Sequence, residues 1–397
     1  MLSKLFPHIK EKPLEEEVQS RDAFIYLDRC MLSVGWTEPK DKRLRLLYHL
    51  WTFLLVIMIF IYLPISMSVE LVRRFKSFSA GEFLSSLELL VDIYGCSIKS
   101  VCNMIGYKKR QEAKRLLDRL DESCVQAEEK AIVRRYVAWG NLCYIMCHIL
   151  YWSFVTLNFI YFVLNRRHAW SMYFPLVDSD QMFLATSIAE LVMITLCVTM
   201  NQCSDVCPLA YMLMARCHII LLKKRLRSLR STPGKEEDEY LEELTSCIKQ
   251  HLLIMKYFRA MGTVFSRTIF VQFLIIGIIL GLAMIHIMFF STLWTGIVLS
   301  LFMFDVCMQT SPFCYLCNMV FDDCQELSDC LFQSDWITAD RRYKTTLVYF
   351  LHNLQQPAIL LAGGVFPIGM KTNLSMVKLA FSVVTIVKQF DLAAQFS

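Results

Sequence analysis

Long apolar segments alternate with shorter polar segments along most of the chain. Each apolar segment contains at least about 18 residues with few charges, which is the length that a helix needs to cross a bilayer. The seven segments lie near residues 46–69, 83–105, 136–164, 181–215, 263–290, 295–318 and 366–390. The pattern therefore predicts an all-α polytopic membrane protein with seven transmembrane helices.

Part of the helical pattern is too long to fit inside a bilayer. Apolar helical periodicity continues from Gln181 to Leu222, which is roughly 63 Å at the α-helical rise. We therefore expect the fourth helix to extend into the cytoplasm. After a break at Ser231–Gly234, an amphipathic helix over Leu241–Met261 is expected to lead back into the membrane at Val264.

The C-terminal part shows a similar arrangement. Lys344–Leu361 is apolar on one face but too polar for a lipid-facing span, so we expect a cytoplasmic half-helix before the last transmembrane helix. The predicted order is a cytoplasmic N-terminal region (1–45), helices one to four with the extension of the fourth (46–222), a cytoplasmic loop and helix (223–262), helices five and six (263–320), a cytoplasmic anchor segment (321–365), helix seven (366–390) and an extracellular tail (391–397).

Basic residues indicate the orientation in the membrane. The N-terminal 45 residues and the segments 106–135, 216–262 and 319–345 together contain 31 Lys and Arg, whereas the opposite loops contain five. Cytoplasmic loops of membrane proteins are enriched in Lys and Arg, so the N-terminus is expected in the cytoplasm. An odd number of crossings then predicts an extracellular C-terminus. The charged, proline-interrupted start is not typical of a cleavable signal peptide.

Composition and motifs exclude several functional classes. The chain is 55% hydrophobic and only 19% charged, which argues against a soluble enzyme, a nucleic-acid binder and a disordered protein. Phosphate loops and hydrolase motifs are absent. Cys314 and Cys317 have CxxC spacing without a second matching pair, so we expect no metal site. We also expect no cofactor, no enzymatic activity and reduced cysteines.

The outer halves of helices two, three and four have a composition that suits a small apolar ligand. Apolar and aromatic side chains with a few polar groups are typical of ligand pockets. The alternative is ordinary packing within a helical bundle, which uses the same residue types. The candidate residues are Leu87, Val91 and Tyr94 on helix two, Trp152, Val155, Thr156 and Phe159 on helix three, and Met182 and Thr186 on helix four.

Charged residues within the membrane segments allow two interpretations. Asp92 could bind a cation or an amine, or it could pair with Lys99 two turns away or with a polar group across the bundle. Asp205 and Arg216 lie where the fourth helix leaves the bilayer, and we expect them to have structural roles.

The last helix carries a polar stripe, formed by Ser375, Lys378, Ser382, Thr385 and Gln389. A single helix in lipid gains nothing from such a stripe. Several copies around an axis could line a water-filled pore, with Ile386 as a hydrophobic constriction that gates by dewetting.

Several motifs in this order resemble the insect odorant receptor family. The C-terminal motifs are Gln356-Pro357-Ala358, Ala362-Gly363, Phe366-Pro367-Ile368 and Lys378-Leu379-Ala380-Phe381-Ser382 with Thr385. The upstream motifs are Cys247-Ile248-Lys249-Gln250-His251, Val264-Phe265-Ser266, Phe270-Val271-Gln272-Phe273, Ser334-Asp335-Trp336 and Asp340-Arg341-Arg342. The resemblance covers most of the chain.

The resemblance implies a subunit of a tetrameric, non-selective cation channel in the plasma membrane of olfactory sensory neurons. In that family, a divergent odour-binding subunit assembles with a shared co-receptor subunit. The short 216–262 loop is similar to that of the odour-binding kind. The implied ligands are small volatile odorants bound among helices two, three, four and six, and the implied gate is Ile386, three residues before Gln389. Membrane lipid is the other expected contact, and nucleic acid is not expected.

Three other classes of membrane protein are alternatives to this family. A gustatory receptor would carry Thr-Tyr, five hydrophobic residues and Gln-Phe, but here Ser382-Val383 replaces Thr-Tyr and Lys388 interrupts the hydrophobic run. A G-protein-coupled receptor would have an extracellular N-terminus, which the charge distribution opposes. A transporter would have interrupted helices in corresponding halves, and the pattern lacks them.

Overall fold

The computed structural model describes residues 6–13, 15–39, 41–175, 177, 181–356 and 359–389. Its α-helices are α1 (Ile25–Ser33), α2 (Arg45–Arg73), α3 (Ala80–Ile105), α4 (Tyr107–Asp121), α5 (Ala127–Leu164), α6 (Phe183–Arg227), α7 (Glu237–Phe289), α8 (Leu293–Phe332), α9 (Arg341–Leu354) and α10 (Met370–Gln389). Short 3₁₀ helices cover Pro7–Ile9, Ser20–Phe24 and Lys42–Leu44, and a two-stranded hairpin pairs β1 (Leu361–Ala362) with β2 (Phe366–Pro367).

The membrane-protein prediction is confirmed by these helices. Within the described residues, six helices are long and apolar enough to cross a bilayer, and counting α3 with α4 as one bent span gives seven. The two helices of that pair meet at an angle of 57°. The bend lies at Gly106, which directly follows the predicted second membrane segment. Each of the seven predicted segments overlaps one of these helices.

Helix α2 contains a π-helical stretch at Val56–Tyr62, shortly before Pro64. Proline has no backbone N–H, and its ring clashes with the carbonyl four residues earlier, which here belongs to Phe60. The wider π-helical turn gives this carbonyl more room. The helix therefore continues past the proline instead of ending there.

The longest helices exceed the thickness of a bilayer. Helix α6 has 45 residues and α7 has 53, so they measure roughly 68 and 80 Å. The extension predicted for the fourth helix is present. The amphipathic helix predicted over 241–261 is present as part of α7, which runs without a break from Glu237 through Gly262 into the fifth membrane segment. A single helical glycine costs only about 1 kcal/mol, which packing on both sides of it offsets.

The segment before the last helix also differs from the prediction. The half-helix expected over 344–361 ends at Leu354, and the last helix begins at Met370 instead of residue 366. The hairpin β1–β2 lies between them, with Gly363 and Gly364 at φ +60° and +75°. Such positive φ values favour glycine and produce a tight turn that interrupts the helix. Pro357, Ala358 and residues 390–397, which include the predicted tail, lie outside the described residues.

The hairpin is attached to the middle of α7. The amide N–H of Gly363 donates to the carbonyl of Ser266 at 2.9 Å, and the Ser266 hydroxyl donates to the carbonyl of Leu361 at 2.6 Å. The rings of Phe270 and Phe366 stack with centroids 6.3 Å apart. These contacts determine where α10 starts relative to α7.

Helix α6 forms the centre of the molecule. It packs against α3, α5, α7 and α8, and most of its side chains are buried. The main hydrophobic core surrounds it, and a second cluster is built from α7, α8 and α10. All sixteen cysteines are free thiols.

We expect Gly363→Ala to lower the free energy of unfolding by about 1–3 kcal/mol, because the residue adopts a positive φ. A Cβ atom there would also lie 2.7 Å from Cδ2 of Phe270. Thermal unfolding of the purified chain would measure the change. Gly277→Ala is the matched control, because it is helical and has no heavy atom within 4 Å of the added Cβ. Equal melting temperatures for the two variants would contradict the proposed strain.

Candidate functional site

The predicted ligand residues of α3 line one side of the outer bundle. Leu87 and Val91 are half-buried, and Val91 packs against the hydrophobic cluster formed by α7, α8 and α10. Tyr94 is 44% exposed, and its hydroxyl lies 3.1 Å from the hydroxyl of Ser68 on α2. On α3, Val91 therefore faces the cluster of α7, α8 and α10, whereas Tyr94 faces α2.

The predicted residues of α5 divide between buried and exposed positions. Val155 is buried and Phe159 is half-buried, with its ring parallel to that of Trp170 at a centroid distance of 6.4 Å. Trp152 and Thr156 are exposed, and the Thr156 hydroxyl donates to the Trp152 carbonyl at 2.8 Å. The hydroxyl of Thr156 therefore already has a partner within its own helix.

The two candidates on α6 lie at its first turn. Thr186 is buried and its hydroxyl donates to the carbonyl of Met182 at 3.1 Å, whereas the Met182 side chain is exposed. Helices α3 and α5 both pack against α6. Val155 and Thr186 are the buried members of the set, and Tyr94, Trp152, Thr156 and Met182 are exposed members.

The described part of the connection between α5 and α6, residues 165–175, covers the predicted outer end of the bundle, and the sequence did not reveal this contact. The amide N–H of Met172 donates to Glu190 Oε1 at 3.2 Å, and the Tyr62 hydroxyl donates to the Tyr173 carbonyl at 2.9 Å. The Arg73 guanidinium lies 4.5 Å from the centre of the Tyr173 ring. Aromatic residues in a short polar loop were the available signal, because such side chains are seldom left in water.

An open cavity of about 330 Å³ lies beside this outer end, where α2 ends and α3 begins. It is lined by Leu71, Val72, Arg73, Phe75, Lys76 and Phe83. None of the predicted ligand residues lines this cavity. Its volume is at the lower limit for a small-molecule site.

A buried polar network connects five helices below the predicted ligand residues. Lys99 Nζ lies 2.9 Å from Asp205 Oδ1, and the Tyr151 hydroxyl donates to Asp205 Oδ2 at 2.9 Å. Lys99 also donates to the Gln272 side-chain carbonyl, and the Gln272 amide donates to Gln309 Oε1 at 2.9 Å. Side chains from α3, α5, α6, α7 and α8 thus form one hydrogen-bonded group.

This network shows which carboxylate pairs with Lys99. Lys99 and Asp205 are almost completely buried, with side-chain exposures of 1% and 6%, and they pair with each other. In the described part of the chain, Asp92 makes no ion pair with Lys99, although the sequence allowed one. Seven residues along a helix are about 10.5 Å apart, whereas Asp205 directly faces Lys99 from α6. The structural role predicted for Asp205 is confirmed.

The structural role predicted for Arg216 is also confirmed. Its guanidinium donates to Asp323 Oδ2 at 2.8 Å, and Lys223 Nζ lies 3.3 Å from the other oxygen of the same carboxylate. These contacts join the extensions of α6 and α8 beyond their predicted membrane segments. A partly buried carboxylate with two cations ties the two helices more firmly than an exposed pair would.

The polar stripe of α10 faces away from the rest of the described chain. The buried residues Asn373, Ala380 and Val384 pack toward α7 and α8. The opposite face exposes the predicted pore residues Ser382, Thr385, Ile386 and Gln389, together with Ser375 and Lys378. This face of α10 therefore points away from the other described helices.

Asn373 begins the sequence Asn373-Leu374-Ser375, which has the form of an N-glycosylation site, and its side chain points inward. Its amide donates to Ser311 Oγ at 3.0 Å, and its carbonyl oxygen accepts from Thr310 Oγ1 at 3.1 Å. Both groups of the side chain are satisfied within the protein.

We expect Lys99→Met to lower the free energy of unfolding by about 3–5 kcal/mol, because it leaves the Asp205 carboxylate buried without its cation. The double variant with Asp205→Leu should recover most of the loss, since it removes both charges. Thermal unfolding of the purified variants would measure both effects.

Arg342→Met is the matched control for this prediction. It breaks the exposed ion pair with Asp238, whose side chains are 73% and 81% exposed, and should cost less than about 1 kcal/mol. Equal losses for the single and double variants at the buried pair would refute the coupling between Lys99 and Asp205.

Both the sequence and the fold of this protein are similar to those of known receptors. The family model described as 7tm Odorant receptor matches residues 79–381. Odorant receptors 22a and 22b of Drosophila melanogaster are 65% and 64% identical to this chain over 396 residues, with all of each chain covered.

A solved structure has the same fold. The olfactory receptor OR5 from Machilis hrabei superposes with a TM-score of 0.75 at 15% sequence identity, covering 94% of this chain and 97% of that one. The resemblance found in the sequence motifs is thereby confirmed, and the chain belongs to the insect odorant receptor family.

Proposed function

We propose that this protein is the odour-binding subunit of a heteromeric, ligand-gated, non-selective cation channel. Its family consists of receptors and not enzymes. The observation that carries the channel proposal is the exposed polar stripe of α10. Serine, threonine, lysine and glutamine side chains at an outward helix face suit a water-filled pore that several subunits line together.

The proposed ligand is a small volatile molecule bound in the outer half of the bundle. The similar OR5 structure from Machilis hrabei was determined in complex with eugenol, a small aromatic molecule. The candidate residues of α3, α5 and α6 combine apolar and aromatic surface with a few hydroxyl groups, which favours a ligand with a single polar function. The covering loop with Trp170 and Tyr173 would limit access from outside.

The polar network supplies a physical route from this region to the pore. It connects α3, α5 and α6, which carry the candidate ligand residues, with α7 and α8, on which α10 rests. A ligand that binds more tightly to the open arrangement of these helices shifts the population toward that arrangement. In this proposal, α10 then moves outward and the constriction at Ile386 widens.

The partner and the location follow from family membership as proposals. We place the protein in the plasma membrane of olfactory sensory neurons, with the N-terminus in the cytoplasm as the basic residues indicate. The proposed partner is the odorant co-receptor subunit in a tetramer. One face of α10 rests on its own subunit, so its exposed apolar residues, such as Leu379 and Phe381, are available for contacts with neighbouring subunits or lipid.

Recording from excised membrane patches would test the channel proposal. Cells would express this chain together with the co-receptor, and an odorant panel would be applied in nucleotide-free solution. We expect a cation current that requires both chains and the odorant. A current that appears only with GTP or a soluble second messenger would reject direct gating and favour metabotropic signalling.

We expect Val91→Ala and Trp152→Ala to shift the odorant dose response by about 10-fold or more, because each removes apolar contact area from the proposed pocket. Dose–response curves from co-expressing cells would measure the shift, and currents through the co-receptor alone should stay unchanged. The control is Leu157→Ala, an exposed residue of α5 outside the candidate set. If neither variant shifts the curve, the pocket is located elsewhere.

A further inference from the structure

A cluster of three possible metal ligands lies away from the proposed pocket and pore. Asp121 ends α4, Cys124 follows it in the short connection to α5, and His218 belongs to the part of α6 beyond the predicted membrane segment 181–215. One ligand atom from each residue lies within 4.8 Å of the others. Helix packing brings the three together, because His218 is far from the other two in the sequence.

The hydrogen bonding of His218 is incomplete. Its side chain is fully buried, and Nδ1 has no hydrogen-bond partner among the described residues. Nε2 lies 3.0 Å from the Ser20 hydroxyl and 3.6 Å from Asp121 Oδ1. A buried polar atom such as Nδ1 without a partner costs roughly 1–3 kcal/mol, and Nε2 is the ring nitrogen that faces Asp121.

The charge of Asp121 is also uncompensated. Its carboxylate accepts hydrogen bonds from the Ser20 amide and hydroxyl, both at 2.6 Å. Within the described residues it makes no ion pair with Lys or Arg, and its side chain is only 14% exposed. Buried carboxylates normally pair with a cation or coordinate a metal ion.

The donor set favours zinc. Zn²⁺ binds Cys sulfur at about 2.3 Å and His nitrogen or carboxylate oxygen at about 2.0–2.2 Å, in tetrahedral geometry. Ligand atoms around such an ion are therefore roughly 3.3–3.7 Å apart, so the present cluster needs to contract by only about 1 Å. A sulfur and a nitrogen donor disfavour Ca²⁺ and Mg²⁺, which prefer oxygen ligands.

We propose that Asp121, Cys124 and His218 bind one Zn²⁺ ion. The Cys124 thiol loses its proton to solvent and binds as the thiolate, so the thiolate and the carboxylate together balance the charge of the ion. The Ser20 hydroxyl, which now bridges Asp121 and His218, supplies a neutral oxygen at the fourth position. The ion joins the N-terminal segment, the end of α4 and the extension of α6.

The proposed site differs from the expectation from the sequence that the protein has no metal site. That expectation considered paired cysteines such as Cys314 and Cys317. The proposed ligands come from two distant segments and follow no zinc motif, so spacing alone does not reveal them.

Metal binding to the purified full-length chain would test the proposal. After treatment with a chelator, the protein would be titrated with Co²⁺ and Zn²⁺, and bound metal would be counted by mass spectrometry. We expect one Zn²⁺ per chain and, with Co²⁺, a thiolate-to-cobalt charge-transfer band. Cys124→Ser should abolish the band and weaken Zn²⁺ binding by more than about 100-fold, beyond the effect of losing an outer-shell partner.

Cys207→Ser is the matched control, because it is a fully buried cysteine of α6 outside the cluster and should keep both signals. Asp121→Asn retains the shape of the side chain and serves as a second variant if Cys124→Ser folds poorly; it should weaken binding without removing the band. Failure of the wild-type chain to bind stoichiometric zinc would overturn the proposal, as would a charge-transfer band that survives Cys124→Ser. Neither result depends on odour-evoked current.

Discussion

The buried ion pair between Lys99 and Asp205 is the interaction on which the arrangement of the bundle depends. Two opposite charges inside the membrane region are tolerated only when they neutralise each other and their remaining hydrogen-bonding groups find partners. Tyr151 and Gln272 provide these partners from two further helices. For the buried ion pair to have these partners, α3, α5, α6 and α7 must each turn a particular face toward it. Hydrophobic contacts alone would leave the rotation of these helices about their axes less defined.

Helix α6 links this ion pair to contacts at other levels of the molecule. It carries Asp205 in the network, Arg216 in the contact to α8, and His218 in the proposed zinc site. These positions are spread over more than three turns, so the same helix anchors the bundle at successive levels. Its length beyond the predicted membrane segment allows one rigid element to connect the proposed ligand-binding region with the predicted cytoplasmic side.

Helix α10 is held differently from the other helices. Its start is determined by the hairpin that Gly363 attaches to α7, and one face rests on α7 and α8 while the polar stripe remains outside. A helix packed on only one side buries less surface and is easier to displace than one surrounded by neighbours. This property suits an element that is proposed to move when the channel opens.

Most of the architecture was determined by the sequence itself. Hydropathy and the number of apolar residues predict seven spans and the extension of α6, because both are local properties of the chain. The stripe of α10 follows from helical periodicity in the same way. The tertiary structure alone decided that α7 is continuous, that Lys99 pairs with Asp205 and not Asp92, and that Asp121, Cys124 and His218 meet. These outcomes depend on which helix faces lie against each other, and that choice arises from the packing of distant segments.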